Sequence, residues 1–420
     1  MILRRFTRAI VKALGLTAVA RKALESVGLQ YMPDRAMERL RDYLAPTDPS
    51  LLADATTVCF PQAERQPPPS LFYPSTRTSR ENLRMKHAFQ SLCASMNELG
   101  CLVNRCPPEQ ADLTIDWSGK NIRYRSLKPP LIMEHGWLPR SSYQISEWGA
   151  NARSHVAKNY RFHALDARRE QIVRRHLERM RRLFRLRLDE SRVARAARRF
   201  EQPFILFPLQ LATDFNLRYS HSPFEDLYSD KPAGTVRFAQ ACVDHVEAAR
   251  LPLPVLFKQH PRDENDLESL LHFRDCRNRL ISNDQKIDTN ELLASGRCKL
   301  VVGVNSNTLH EALVWEIPVV ALGTLLWDES RQDRPLDKDL SAAEGRLGRE
   351  TALDATRLSY LFHVVANQWN LSDFQNPLMV DELIRARGHC VPGELRGRFG
   401  LAPENVDEID PPAECVRRVG

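Results

Sequence analysis

Four polar clusters stand out in this chain of 420 residues, because each follows a short apolar run. Glu134 and His135 follow Leu131-Ile132-Met133, and Gln210 and Asp214 follow Phe204-Ile205-Leu206-Phe207. Lys258 and His260, with Pro261, follow Val255-Leu256-Phe257. Asn305, Ser306, Asn307 and Thr308 follow Leu300-Val301-Val302-Gly303-Val304. Continuous apolar runs are expected of strands covered on both faces, and ligands of open α/β sheets bind outside the carboxyl ends of the strands. The side chains suit acid–base or nucleophilic work by carboxylates and phosphate binding by Lys258 and His260. Ser306 or Asn307 could cap a helix over 308–315, whose N-terminus would favour an anion such as phosphate. Glu311 falls one turn inside that helix, where a carboxylate could accept from ribose hydroxyls. Each cluster alone has a plainer reading, a capped helix or a satisfied loop histidine; four at four strand ends carry more.

The elements that must position these clusters alternate. Strands are expected over 204–207, 255–257, 280–281, 300–304 and 319–322, with helices over 235–249, 264–273, 290–294 and 308–315 between them. This alternation predicts a parallel sheet with helices on both faces. The first half predicts strands over 56–60, 101–103, 113–115 and 131–133 and a helix over 81–99, after a Pro-, Ser- and Thr-rich stretch over 45–80. An arginine-dense helical pattern covers 168–199, with Ile172, Leu177, Met180, Leu183, Phe184, Leu188 and Val193 near one face. Its arginines fit a solvated helix face better than a nucleic-acid groove, since no aromatic interleaving accompanies them. Two more helices are expected over 357–368 and 377–387, followed by a polar tail. The domain boundaries drawn from these patterns are 1–44 (a basic amphipathic segment), 45–200 (an acceptor-side Rossmann-like domain), 201–345 (a nucleotide-sugar domain) and 346–420 (helices and tail packing back).

Composition bounds the rest. With 43% hydrophobic residues the chain can bury a core, which excludes a disordered or collagen-like molecule. It has no run of about 18 uncharged apolar residues, so no spanning helix is expected. The net charge of +7 fits an anionic substrate, a membrane surface or nucleic acid. Nine cysteines, with no C-x-x-C pair, argue against a zinc site or a disulfide framework and for a reducing cytoplasm. In residues 1–30, Ile2, Leu3, Phe6, Ile10 and Leu14 can share a helix face opposite Arg4, Arg5, Arg8 and Lys12. That segment reads as a docked helix or as one lying on the inner face of the cytoplasmic membrane. The P-loop, the dinucleotide G-x-G-x-x-G and the G-x-S-x-G elbow are missing, and His310-Glu311 is not a zincin because Val314 stands where the second histidine belongs.

Taken in order, the clusters resemble the bacterial capsule and O-antigen polysaccharide β-Kdo transferases, where Kdo is the acidic sugar 3-deoxy-manno-octulosonic acid. Gln210-Leu211-Ala212-Thr213-Asp214 is similar to that family's Q-x-x-x-D, and Lys258-Gln259-His260-Pro261 to its K-x-H-P. Val304 to Thr308, with Glu311-Ala312 and Pro318-Val319-Val320, resembles its N-S-x-x-x-x-E-A…P-V-V segment. Glu134-His135-Gly136-Trp137-Leu138-Pro139-Arg140 is similar to its E-D-G-F-x-R-S, with His135 in place of Asp and Pro139 ahead of Arg140. The resemblance covers about 130–325 and rests on order and spacing.

It implies an α/β, GT-B-like glycosyltransferase: two Rossmann-like domains whose parallel sheets face a central cleft. It implies transfer of Kdo from CMP-Kdo with retention, without a metal or other cofactor, to a glycan or lipid-linked oligosaccharide. By carry-over Asp214 is the nucleophile, Glu134 the base or organiser on the acceptor side, and Gln210 the residue positioning Asp214 or the sugar. Lys258, His260, Asn305, Ser306, Asn307, Thr308, Glu311, Arg140 and His135 would bind the nucleotide or the substrate. Two alternatives stand beside it. One is a GT-B transferase using CMP-sialic acid or a UDP-sugar. The other is a non-enzymatic scaffold or nucleic-acid-binding protein using the arginine-dense helix, which would leave Asp214, His260 and Asn305 without a role.

Overall fold

The structure, a computed structural model, describes residues 57–59, 76–103, 111–117, 130–147, 149–214, 216–229, 231–327, 335–347, 353–399 and 401. The amphipathic segment 1–30 and most of the Pro-rich stretch 45–80 lie outside them. The chain divides into two compact units, one of Met1–Met133, Trp369–Cys390 and Leu395–Gly420, the other of Glu134–Gln368 and Val391–Glu394. These limits differ from those drawn on the sequence: the arginine-dense helices fall in the second unit, and part of the C-terminal region belongs to the first.

In the first unit, strands β1 (Thr57–Cys59), β2 (Leu102–Val103), β3 (Leu113–Trp117) and the first residues of β4 (Leu131–His135) lie in the order β2-β1-β3-β4. Their pairings are parallel. Helix α1 (Thr76–Glu98) buries Ala88, Leu92 and Met96, one turn apart, and its Ser95 Oγ donates to the Phe374 carbonyl at 2.7 Å. Phe374 ends the short helix Leu371–Phe374, where Asp373 accepts from Arg396 Nε at 2.9 Å and Nη2 at 2.7 Å. Both partners are buried, and the bidentate fork is the geometry in which a buried pair is tolerated.

The second unit opens with Glu134 and His135 and strand β5 (Tyr143–Glu147). Helices α2 (Ala167–Arg187) and α3 (Glu190–Arg199) follow. Its main sheet holds β6 (Phe204–Pro208), β7 (Val255–Lys258), β8 (Arg279–Ile281), β9 (Cys298–Gly303) and β10 (Val319–Ala321). Their order is β10-β9-β6-β7-β8, with parallel pairing throughout. In chain order this is 5-4-1-2-3, the doubly wound arrangement with its switch point between β6 and β9. Helix α4 (Gly234–Ala248) packs on one face and α5 (Thr289–Ala294), α6 (Thr308–Val314) and α7 (Ala355–Ala366) on the other.

The apolar runs fit this placement residue by residue. Phe204, Leu206 and Val301 enter the cluster containing Leu309, Leu313 and Tyr360, while Ile205, Phe207, Leu300 and Val302 enter the one containing Phe238 and Val243. Successive side chains of a strand point to opposite faces, so a strand covered on both shows no polar alternation. The parallel α/β class expected from the sequence is therefore what forms.

Three local expectations are corrected. The arginine-dense stretch is two helices, because Leu188 is extended and the Asp189 side chain accepts from Ser191 N to start the second. Inward-facing residues there are Val173, Leu177, Met180 and Ala196, while Ile172 points to solvent. Arg181 bonds the Val314 carbonyl at 3.0 Å and Glu316 at 2.6 Å, and Arg192 pairs with Glu291 at 2.8 Å. Some of these arginines thus fasten α2 and α3 to the rest of the unit. The helix expected over 264–273 shrinks to Leu267–Leu270, since Asp263 ties Asn265 in a local side-chain turn and Asp266 caps late. Strand β5 has no counterpart among the expected elements: its alternation, Tyr143-Gln144-Ile145-Ser146, is short, and the polar Gln144 and Ser146 are buried along with the apolar pair.

Burial also grades the thiols. It pushes Cys93 and Cys298 up to about 12 and Cys242 well above its ordinary value, whereas Cys276 is exposed. Iodoacetamide at pH 8 is expected to label Cys276 first among these four and to reach the other three only on unfolding, as read by peptide mass spectrometry.

Candidate functional site

The switch point brings together two of the sequence clusters. Gln210, buried just beyond β6, exchanges two hydrogen bonds with Asn305, just beyond β9: its Nε2 donates to Asn305 Oδ1 at 2.9 Å, and Asn305 N donates to its Oε1 at 3.1 Å. Gln210 Nε2 also reaches Asp214 Oδ2 at 3.3 Å. The other Asp214 oxygen accepts from Asn216 N at 3.0 Å, and Asn305 Nδ2 donates to the Asn216 carbonyl at 2.9 Å. Asp214 is only half-buried, so its carboxylate is oriented by these donors without being sealed off.

The loop bearing it is braced from two sides. Ala212 N donates to Thr235 Oγ1 and Ser229 N to the Ala212 carbonyl, next to Gly234, where a Cβ would stand 2.5 Å from that of Ser229. Beyond β10, Thr324 N donates to the Ser220 carbonyl at 2.6 Å.

The segment after β9 departs from the expected cap. Asn307 occupies the N-cap position of α6 with helical dihedrals, and its side chain makes no capping bond. Ser306 Oγ accepts from Thr308 N at 3.3 Å instead. The amides of Leu309, His310 and Glu311 bond within the turn, to Ser306 O, Asn307 O and Asn307 O, so they are not open donors for an anion. Asn307 is held differently: its Oδ1 lies 3.2 Å from His310 Nδ1, and its Nδ2 reaches Glu311 Oε1 at 3.5 Å. His310 is buried, with Nε2 2.8 Å from the Tyr360 hydroxyl, and burial lowers its pKa to about 3. A neutral ring that donates from Nδ1 to Asn307 and accepts from Tyr360 satisfies both contacts. In the sequence His310 figures only as part of a rejected zinc motif; its alignment with Asn307 and Tyr360 is not visible in the chain.

Burial raises the pKa of Glu311 to about 7, and the Asp288 carboxylate adds to the rise. Arg140 and hydrogen bonds from Asn307 and Asn290 oppose it. Arg140 is exposed, and its charge links the 134–140 cluster to the α6 cluster.

In the 134–140 cluster, Glu134 Oε1 accepts from His135 N at 2.9 Å, and the His135 carbonyl accepts from Gln144 Nε2 at 2.8 Å. The buried Gln368 side chain accepts from Trp137 N and Leu138 N and donates to the Leu138 carbonyl, which fixes the turn. Gly136 is required there, because a Cβ would lie 2.0 Å from Ser142 Oγ and 2.9 Å from the Ser142 carbonyl carbon.

Lys258 and His260 belong to a different hydrogen-bonded group. Lys258 is buried, with Nζ 3.1 Å from the Gln259 carbonyl and 3.4 Å from Asn283 Oδ1. His260 Nδ1 accepts from Arg262 N at 3.1 Å, and its carbonyl accepts from Asn283 Nδ2 at 3.0 Å. Among the described residues no group of three His, Cys, Asp or Glu side chains is placed to hold a metal ion, and no helix is long and apolar enough to cross a membrane.

Residues 240–321 match the alpha-2,8-polysialyltransferase (POLYST) family. That segment runs from α4 to β10 and contains Lys258, His260, Asn305 and Glu311 but not Asp214. No curated protein matches the chain. Among solved structures, the chain is similar to the beta Kdo 2,4 transferase of Thermosulfurimonas dismutans KpsC, with 14% identity, a TM-score of 0.42, and coverage of 74% of this chain and 89% of that one. The beta Kdo 2,7 transferase of the same KpsC gives 12% identity, 0.37, 80% and 100%. Staphylococcus aureus MnaA with UDP gives 10%, 0.28, 76% and 80%.

Proposed function

We propose that this chain is a glycosyltransferase that moves an acidic keto-sugar, Kdo, from CMP-Kdo to a glycan or glycolipid of the bacterial surface. The observation that carries the reading is the Gln210–Asn305–Asp214 cluster at the switch point of a doubly wound sheet, where such folds bind nucleotides. Asp214 is the nucleophile. Its carboxylate oxygen bonds to the anomeric carbon of the sugar as the bond to the CMP phosphate oxygen breaks, and CMP leaves. The acceptor hydroxyl then attacks that carbon, Asp214 is released, and Glu134 takes the hydroxyl proton. Two displacements at one carbon retain its configuration.

Asn305, Ser306, Asn307, Thr308 and Glu311 bind the nucleotide, with the Ser306 and Thr308 hydroxyls on phosphate and Glu311 on ribose. Lys258 supplies positive charge and His260 a neutral ring from the neighbouring strand end, while Arg140 and His135 bind substrate. The chemistry requires no metal. Contact of residues 1–30 with the cytoplasmic membrane would place the enzyme beside a lipid-linked acceptor.

A second reading, with CMP-sialic acid as donor, is favoured by the polysialyltransferase match over the donor-side residues. Incubation with each donor, without acceptor, separates the two. CMP release and a mass increase of one Kdo residue on the intact protein with CMP-Kdo alone support the first. CMP release with CMP-sialic acid alone replaces the first by the second, and failure to bind CMP at all removes both.

A further inference from the structure

A run of hydrogen bonds through three side-chain amides leads from the end of β4 to the candidate carboxylate: His135 carbonyl, Gln144, Asn151, Asn216 and, through the Asn216 backbone N–H, Asp214. We infer that Trp137 and Asn151 are positioning residues that orient Asn216, and through it Asp214, by fixing the direction of every hydrogen bond between them. This rests on the role proposed for Asp214.

The direction follows from what each group can do. An indole N–H donates and cannot accept. Trp137 Nε1 meets Asn151 Oδ1 at 2.8 Å, and the same oxygen accepts from Gln144 Nε2 at 3.0 Å. Turning the Asn151 amide over would set its NH2 against two donors. Its Nδ2 is thereby committed to Asn216 Oδ1, at 2.8 Å. Asn216 in turn holds Asp214 through its backbone N–H and Asn305 through its backbone carbonyl.

The backbone is arranged for the same end. Asn151 has φ +52°, in the left-handed region that asparagine tolerates better than most residues. Its N–H donates to Gln144 Oε1 at 2.9 Å, which fixes the Gln144 amide as well. Trp137 and Gln144 are both buried and Asn151 is half-buried, so water reaches these bonds less than it would on the surface. Strained backbone held by such a network is a common feature of functional sites.

The experiment uses full-length protein labelled with 15N-tryptophan, whose six indole signals include one lost in Trp137→Phe. That signal is expected to move in Asn151→Asp, which replaces the committed NH2 by oxygen, and in Asn216→Ala. Asn151→Gly, which suits the left-handed backbone, repeats the test should the aspartate variant fold poorly. A Trp137 signal unmoved in all of them overturns the inference.

On turnover, CMP release from CMP-Kdo or CMP-sialic acid, whichever is used, should slow about tenfold in Trp137→Phe, with KM for the donor and CMP affinity within about twofold of wild type. A wild-type rate overturns the inference, and so does a loss seen only as weaker CMP binding, which a merely structural role would produce. The two proposals fail separately. Full activity in Asp214→Asn removes the role of Asp214 while the indole shifts stand. An inactive Asp214→Asn beside unmoved indole signals removes the positioning role alone.

Discussion

Asp214→Asn should abolish the covalent adduct and lower turnover by about a thousandfold or more, the scale on which loss of a nucleophile is felt. The substitution keeps an oxygen to accept from Asn216 N but turns its NH2 toward Gln210 Nε2, which loses the acceptor Asp214 gave it and keeps its exchange with Asn305, so the Gln210–Asn305 pair should survive. What is lost is the carboxylate: a neutral amide oxygen is a poor nucleophile toward an anomeric carbon. CMP affinity should stay within about twofold of wild type, because the proposed nucleotide contacts lie on 305–311. Asp214→Ala removes both bonds to the side chain as well and should show the same loss of chemistry. The measurement is intact-protein mass spectrometry and CMP release, with calorimetry for CMP. An adduct that persists in either variant assigns the nucleophile elsewhere. No adduct on the wild type, with turnover still lost in Asp214→Asn, leaves the anomeric configuration of the product to decide: retention means an adduct too short-lived to accumulate, and inversion makes Asp214 a base in a single displacement.

Much of this arrangement can be read from the chain, and the limits of that reading have physical causes. Strands buried on both faces announce themselves as apolar runs, so β6, β7, β9 and β10 and the polar residues at their ends are legible. Strand order is not, because it depends on which helix crosses which face. The adjacency of Gln210 and Asn305, 95 residues apart, appears only once β6 pairs with β9. Residues that act through neighbours leave the weakest trace. Asn151 and Asn216 look like ordinary loop residues, and Gln144 falls on the polar side of a short alternation, so its burial is not visible in the chain. Trp137 reads as core. Ser306 or Asn307 is expected to cap α6 because both residue types favour that position; Ser306 accepts from Thr308 N, while His310 and Glu311, three and four residues beyond Asn307, draw the Asn307 side chain into the helix face. The fastening role of Arg181 and Arg192 is hidden in the same way, since a charged residue on a helix gives no sign of which carbonyl or carboxylate it meets.

Glu311 should make cytidine binding rise with pH and fall when the side chain is neutralised. Cytidine is the informative ligand because it carries the ribose without a phosphate that titrates nearby. With a pKa of about 7, Glu311 is largely protonated at pH 6 and largely ionised at pH 8. Ribose hydroxyls donate better to the carboxylate than to the acid, so affinity should increase about tenfold across that range. Glu311→Gln keeps the shape and the bonds to Asn307 and Asn290 in altered form, and should bind weakly and without that slope. Glu311→Ala, which loses the acceptor altogether, should cost about a hundredfold at pH 8, as expected for two charge-assisted hydrogen bonds. Linkage supplies the deciding sign. A ligand that prefers the carboxylate lowers its pKa, so the wild type must release protons on binding cytidine at pH 7, visible as a dependence of the binding enthalpy on buffer ionisation. The same raised pKa works against the fold as pH rises: between about 4.5 and 7 the unfolded chain gives up a proton that the folded chain retains, so this contribution to stability is lost across that window and should be missing in Glu311→Gln. Proton uptake on binding, or a slope unchanged in Glu311→Gln, would remove Glu311 from the ribose and leave it as a half-buried acid of α6 alone.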